Sequence, residues 1–449
     1  MAQASPARKI AFDILLHVDA AKGYAADLLQ GHQVSSLSER DRGLATEIAM
    51  GVLRWRGEID HRIQKLSGRS PQWLDREVIT ALRMGIYQIA FLERIPKSAA
   101  VNESVELIKL SRKRSAAGLV NAVLRKCEPE KLLQVAAVSP DDPELQAGAR
   151  RSVPDWLLER WETNFGTKAA NRLAWAATQV PPTTLRICSC TPEPEDVIRK
   201  FAEKGGNVRR GEYAPNALIP EAGEGAVSRL AEELGLAIQD EASQLVPELL
   251  LARPSQRVLD VCAAPGMKTG LLADAVGDGV LVACDASGGR VKTLRKLLPR
   301  LTANAAAVRV VRLDATRPLP FRQVFDRILV DAPCSGTGTL ARNPEIKWRL
   351  TPDDLERLPA IQRTILANTL LVLRPGGRLV YATCSLEPEE NEKVVESVLA
   401  EAPGCKVLGH AELADELPNI APLIDARGYF RTRPDLHDMD GFFAAVIAR

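Results

Sequence analysis

Nowhere along the 449 residues does an apolar run approach the ~20 positions that a membrane-spanning helix needs. The opening Met-Ala-Gln-Ala-Ser-Pro passes at once into charged and polar residues, without the apolar stretch of a secretory signal, so a cytoplasmic location is expected. Cysteine is sparse and scattered: Cys127, Cys188, Cys190, Cys262, Cys284, Cys334, Cys384 and Cys405 form no disulfide framework, and a chain of this length needs none. Cys188 and Cys190 lie one residue apart, which is not the C-x2-C spacing of a zinc site, and no histidine cluster accompanies them; no metal is expected. The dinucleotide fingerprint G-x-G-x-x-G is missing too, which argues against a dinucleotide-dependent oxidoreductase, and the G-K-[ST] ending of a phosphate-binding loop is absent.

What is present describes a soluble protein of two or three domains, with 46% hydrophobic and 26% charged residues. The net charge of +2 conceals an asymmetry, because residues 1–135 hold 21 Lys and Arg against 15 Asp and Glu. A basic first third suits a phosphate-binding module, and it equally suits a solvated helical surface.

Helical spacing governs that first third. Ile10, Ile14, Leu15 and Val18 recur at helical intervals, as do Leu44, Ile48 and Val52, then Ile79, Leu82, Ile86 and Ile89. An all-α bundle over 1–137 is predicted, with a turn-forming linker at 138–143, Val-Ser-Pro-Asp-Asp-Pro. Residues 145–236 mix a helix around Trp156–Trp161 with short strand-like runs such as Thr183–Ile187, predicting a small α+β subdomain. From 237 to 449 strands and helices alternate: Arg257–Cys262, Val280–Cys284, Val308–Leu313, Arg327–Val330 and Arg378–Thr383 read as strands. That alternation predicts an α/β core of Rossmann-like type, whose ligands sit beyond the carboxyl ends of parallel strands.

The candidate chemistry falls at those ends. Asp260-Val-Cys-Ala-Ala-Pro-Gly-Met-Lys-Thr269 follows the first strand and opens a helix. Its small residues let backbone amides approach a ligand, and a helix N-terminus favours an anion, here best the carboxylate of a methionine. Asp285 ends the second strand, where an acid can accept both ribose hydroxyls of an adenosine, and Asp314 ends the third, near the expected adenine. The set Cys262, Ala263, Ala264, Pro265, Gly266, Met267, Lys268, Asp285, Asp314 and Asp331 is therefore expected to bind S-adenosyl-L-methionine. Any one of these aspartates also makes sense as a loop cap.

Two cysteines also close strands: Asp331-Ala-Pro-Cys-Ser-Gly-Thr-Gly338 follows the fourth, and Thr383-Cys384-Ser385 the fifth. An acidic helix expected from Leu386 would favour a thiolate at Cys384. A methyltransferase acting on nitrogen or oxygen has no need of cysteine. An aromatic carbon such as cytosine C5 does, because it becomes nucleophilic only after a thiolate adds at C6. Asp331 could hold the N3/N4 edge of such a base and share its proton. Arg342, Lys347 and Arg349 follow the first cysteine loop and are expected to hold the backbone beside such a base, with ordinary surface charge as the alternative; Trp348 is expected to pack under the loop rather than stack on a base.

At C-A-A-P-G-x-K-T (262–269), D-A-P-C-S-G-T-G (331–338), R-x-P-E-x-x-W (342–348), T-C-S (383–385) and D-G-F-F (440–443), the sequence resembles the RNA 5-methylcytosine methyltransferases of the Fmu/Sun/NOL type. The resemblance implies Cys384 as nucleophile and Cys334 as the aid to product release. Asp41–Glu47, Gly51–Arg56 and Val120–Arg125 look like a NusB-like RNA-binding domain fused to that core. The arrangement implies 16S ribosomal RNA as partner and one cytidine conventionally numbered 967 as target; a monomer with neither membrane nor metal is expected. Other readings are the same chemistry on another RNA such as tRNA, methylation of DNA or protein, and a non-enzymatic RNA-binding factor with a decayed core. The family has glycine where this chain has Met267, a side chain expected to narrow the cofactor pocket or to keep φ negative.

Overall fold

A helix buried on every side needs partners for each of its polar groups, and Arg76–Phe91 is such a helix, buried from Val78 to Phe91. The computed structural model describes residues 4–129, 143–191, 193–204, 206–221, 224–322 and 324–449. It divides into two units, Met1–Pro181 with Leu340–Leu350, and Pro182–Thr339 with Thr351–Arg449. In the first, helices Pro6–Asp19, Glu39–Arg54, Arg56–Ser67, Lys97–Leu110 and Ala117–Lys126 share a core with Arg76–Phe91. The predicted stripes supply it: Ile14, Leu15, Ile48, Val52, Leu82 and Ile86 are all buried. The polar groups of the central helix are met as well. Gln88 donates to the Met84 carbonyl, and buried Arg83 is gripped by both Asp60 oxygens (2.7 and 2.9 Å) and by Asp19 (3.3 Å).

Helices Pro143–Arg151, Asp155–Phe165 and Thr167–Ala176 cluster with this unit, although the sequence pattern groups them with the strands that follow. The expected linker at 138–143 lies outside the described residues except for Pro143. So does Leu340–Leu350 cluster here, a segment from far along the chain. It meets the bare carbonyls at the end of helix Glu39–Arg54, which have no partner within the helix. Lys347 Nζ donates to Arg54 O (2.9 Å) and Ala177 O (3.3 Å), and Trp348 Nε1 to Leu53 O (3.0 Å).

In the second unit, strands β1 (Leu185–Arg186), β2 (Val208–Arg210), β3 (Ala217–Pro220) and β4 (Ala237–Ile238) form an antiparallel sheet in the order β2-β3-β1-β4. Helix Pro194–Glu203 packs on it through Val197 and Phe201. This is the expected α+β subdomain, but β4 pairs with β1 at 237–238, just past the boundary expected at 236.

The remaining strands are β5 (Arg257–Asp260), β6 (Val280–Asp285), β7 (Val308–Arg312), β8 (Phe325–Asp331), β9 (Leu373–Thr383), β10 (Lys406–Val407), β11 (Tyr429–Arg431) and β12 (Phe443–Ala448). They make one sheet in the order β10-β12-β9-β8-β5-β6-β7, with β11 on β12. The five predicted strands are parallel; β12, fed by the D-G-F-F run, enters antiparallel beside β9 and makes the sheet mixed. Alternation sorts the side chains. Val258, Leu329 and Val380 pack with helices Met267–Val276 and Gly288–Leu301, while Leu259, Val330 and Tyr381 pack with Asp354–Val372 and Glu392–Ala400. Each fully buried aliphatic there contributes roughly 1.5–3 kcal/mol. The chain reverses its direction of winding between β5 and β8, so the loops after β5, β8 and β9 open together at one end of the sheet.

Candidate active site

Two glycines set how closely the loops after β8 and β9 approach. Gly338 donates to Cys384 O (2.9 Å) and accepts from Gly441 N (2.8 Å). A Cβ at Gly338 would lie 2.0 Å from the Gly441 carbonyl oxygen, so no other residue fits without moving backbone. This lacing carries the D-A-P-C loop, the T-C-S loop and the start of β12 as one piece.

Within it Cys334 and Cys384 face each other, Sγ to Sγ 3.4 Å, both partly exposed. The contact with Cys384 and burial together hold the Cys334 thiol well above its ordinary pKa. Asp331, at the end of β8, accepts from Lys268 Nζ at 2.8 Å, and the ammonium also lies 5.0 Å over the Phe442 ring. Burial works against the Lys268 charge, but Asp331 outweighs it and raises the lysine pKa. Lys268 therefore serves Asp331 rather than standing free in the cofactor loop.

The loop after β5 is shaped by Gly266, whose φ of 114° only glycine adopts readily, and which precedes the first helical residue, Met267. Ala263 N bonds Cys284 O at 2.8 Å, and Ala264 O accepts from Arg290. Pro265 is exposed, and burial drives the Cys262 thiol far above its ordinary pKa. Met267 keeps a negative φ, and its side chain packs with Cys188, Ala237 and Leu301 beside the small sheet. Asp285 is buried; it accepts from Ser287 N (2.9 Å) and lies 3.5 Å from Arg290. Asp314, by contrast, is exposed and caps its own turn, accepting from Thr316 N and Oγ1, which lower its pKa.

Four expectations change. Lys347 is fully buried on backbone carbonyls, and burial, with Arg54 nearby, lowers its pKa to about 7, so it cannot hold RNA. Arg349 is likewise turned inward, donating to Val18 O (2.8 Å) and Gly23 O (2.5 Å). Trp348, expected to pack under the D-A-P-C loop, instead packs in the helical unit, its Nε1 donating to Leu53 O (3.0 Å), and half-buried Arg342 belongs to that segment too. The helix expected from Leu386 begins only at Glu392, so its dipole does not adjoin Cys384.

What occupies 386–391 instead is a support the sequence reading missed. The fully buried Glu390 carboxylate accepts from Ser335 N (2.9 Å), from Gln362 Nε2 (2.9 Å), and from the hydroxyls of Ser335 and Ser385. Ser335 follows Cys334 and Ser385 follows Cys384, so one carboxylate fixes the neighbour of each thiol. Asn391 adds a bond to Ser385 O at 2.8 Å. Asp260 was named only as the start of the cofactor loop. It is buried, accepts from Thr269 Oγ1 at 2.7 Å, leaves Oδ1 without a partner among the described residues, and is pushed by burial up to about 7.

Comparison with known proteins covers every domain. Residues 247–448 match the family model for the 16S rRNA methyltransferase RsmB/F, residues 5–129 that of the NusB family, and residues 153–224 the ferredoxin-like domain of RsmF/B-like methyltransferases. The chain is 31% identical over 446 residues to the probable ribosomal RNA small subunit methyltransferase B of Bacillus subtilis (strain 168), covering 98% of both chains. It is 34% identical to the ribosomal RNA small subunit methyltransferase B of Pseudomonas putida (strain KT2440), over 84% of this chain and 85% of the relative. The crystal structure of PH0851 superposes with a TM-score of 0.79 at 24% identity, over the whole of both chains. A methyltransferase homologue from Pyrococcus horikoshii aligns with 68% of this chain and 99% of its own, at 29% identity and a TM-score of 0.53.

Proposed function

Because the chain belongs to the RsmB/F family of 16S rRNA methyltransferases, we propose that it methylates C5 of one cytidine in small-subunit ribosomal RNA while Cys384 is bonded transiently to C6. The observation that carries this reading is the thiol pair, Sγ to Sγ 3.4 Å at the ends of adjacent strands, beside the Lys268–Asp331 pair. Two thiols so placed are redundant for methylation of a nitrogen or oxygen, and each has a task in methylation of an aromatic carbon.

The residues after β5 and β6 fit S-adenosyl-L-methionine. The left-handed turn at Gly266 starts helix Met267–Val276 just beyond β5, where its first amides can hold a carboxylate, and buried Asp285 is placed for a ribose diol. When bound, the cofactor supplies an electrophilic methyl group. The chain's own residues do the rest. The Cys384 thiolate forms a bond to C6, and the ring electrons so displaced make C5 a nucleophile. Asp331, backed by Lys268, accepts from the N4 amino group at the N3/N4 edge, and the Lys268 ammonium beside it offsets the negative charge that moves into the ring. In the final step solvent takes the C5 proton, the electrons of that C–H bond restore the C5–C6 double bond, and the Cys384–C6 bond breaks with its electrons returning to sulfur; Cys334, kept as a thiol, stands where its S–H can hydrogen-bond the departing sulfur. The target base must be unpaired or flipped out for C6 to be reached.

Incubation with tritium-labelled cofactor tests the reading. Protein-free 16S rRNA should be labelled while tRNA and DNA are not, and bisulfite sequencing should map one cytidine. Cys384→Ala should abolish transfer, whereas Cys334→Ala should accumulate a protein–RNA adduct that survives a denaturing gel. An adduct formed by Cys384→Ala and none by Cys334→Ala would reverse the two roles.

A further inference from the structure

Between Ala286 and Arg312 the chain carries seven cations, Arg290, Lys292, Arg295, Lys296, Arg300, Arg309 and Arg312, and no acid, in a protein whose totals of 59 and 57 nearly balance. The fold gathers six of them. Helix Gly288–Leu301 buries Val291, Leu294, Leu298 and Leu301 against the sheet and turns Lys292, Arg295, Lys296 and Arg300 to solvent. β7, the last strand on that side of the sheet, adds Arg312 on the helix's face, while Arg309, three residues earlier, points to the other face of the sheet.

Most of this charge is not neutralised within the protein. Arg295, Arg309 and Arg312 spend their donors on the backbone carbonyls of Val310, Ala306 and Ala286, which carry no net charge. Arg290 lies 3.5 Å from Asp285 and Arg300 lies 3.4 Å from Glu232, while Lys292 and Lys296 have no carboxylate partner among the described residues. Cations on an outermost strand also discourage edge-to-edge association, which accounts for Arg309 and Arg312 but not for the helix. The strip begins at the cofactor loop, where Arg290 bonds the Ala264 carbonyl, so whatever lies along it runs toward the reacting end of the sheet.

We propose that this strip binds the phosphate backbone of the substrate RNA, as the contact surface that Lys347 and Arg349 cannot provide. Resting on the RNA-directed reading above, it adds where the catalytic unit grips its substrate. Six cations on one face suit sequence-independent positioning rather than choice of the target base.

The test compares the full chain with Lys292→Gln/Lys296→Gln, and with a control, Lys393→Gln/Lys406→Gln, that removes two lysines including one on β10, at the opposite edge of the sheet. Binding of protein-free 16S rRNA is followed as a function of salt. Loss of two phosphate contacts should lower the slope of log Kd against log salt by about 1.4–1.8, so that between roughly 50 and 200 mM salt the variant weakens about tenfold less than the parent. The KM for RNA should rise at low salt with kcat and the cofactor Kd unchanged, and the control should keep the parent's slope. Equal slopes for the strip variant and the control would overturn the proposal and leave the RNA-directed reading intact. A parent chain that binds no RNA would overturn both.

Discussion

Replacing Glu390 should separate the support of the two thiols from their chemistry. Four donors converge on its buried carboxylate: Ser335 N, Gln362 Nε2 and two serine hydroxyls. In Glu390→Gln the oxygen that faces Ser335 N and Gln362 can remain, and the new amide group faces hydroxyls, which can turn to accept. What is lost is the charge assistance of the bonds, a cost of about 1–2 kcal/mol. In Glu390→Ala, Ser335 N and Gln362 Nε2 lose this acceptor inside the protein. The hydroxyls, 3.1 Å apart, can pair with each other, and Gln362 keeps its bond to Pro333 O at 2.9 Å. The uncompensated remainder, plus a cavity, sums to about 3–5 kcal/mol. Urea unfolding of the catalytic unit, followed by its near-ultraviolet signal, should therefore show a small shift for Gln and a large one for Ala. Methyl transfer by the Gln variant should stay within about tenfold of the parent, since 1.4 kcal/mol is one decade of rate. An alanine variant as stable as the parent would refute the claim that this carboxylate holds the two loops.

Two further outcomes follow from the cofactor loop. Burial raises Asp260 to about 7 from an ordinary 3.8, so folding favours its protonated form. Its contribution is complete below pH ~4 and is lost as pH rises through about 7, on the order of 4 kcal/mol at most. Asp260→Asn should flatten that fall in urea midpoints between about pH 4 and 7; an unchanged pH dependence would rule the group out. Met267→Gly should cost about 1–3 kcal/mol in lost packing with Cys188, Ala237 and Leu301 and in helix propensity. Because that packing points to the small sheet, calorimetry should find the cofactor Kd within about twofold; a larger change would restore the expected narrowing of the pocket.

How legible the protein is from its residues depends on whether a residue's role is local. Strands β5 to β9 and the helices between them follow from alternation and turn residues, and Cys334, Cys384 and Asp331 follow from lying at strand ends. Lys347 and Arg349 were misread because charge in a sequence speaks for solvent, and nothing nearby in the chain shows that the carbonyls of Leu53, Arg54 and Val18 wait for donors. Glu390 was missed for the converse reason. In Leu386-Glu-Pro-Glu-Glu-Asn391 an acid resembles loop charge, and its partners lie 55 and 28 residues away. The signal that could have found it is the serine after each cysteine, since two hydroxyls in paired loops need a shared acceptor.

The excursion of Leu340–Leu350 bears on how this chain can be cut. The first unit is not a contiguous stretch: its last piece is made more than 150 residues after Pro181. A fragment ending at Pro181 would leave the carbonyls of Leu53 and Arg54 to water, and one starting at Pro182 would carry a lysine and a tryptophan with no seat. In order of synthesis, the segment that completes the helical unit follows β5 to β8. The helical and catalytic parts are thus stitched through each other's sequence, and a cut at Pro181 severs the first from its last piece.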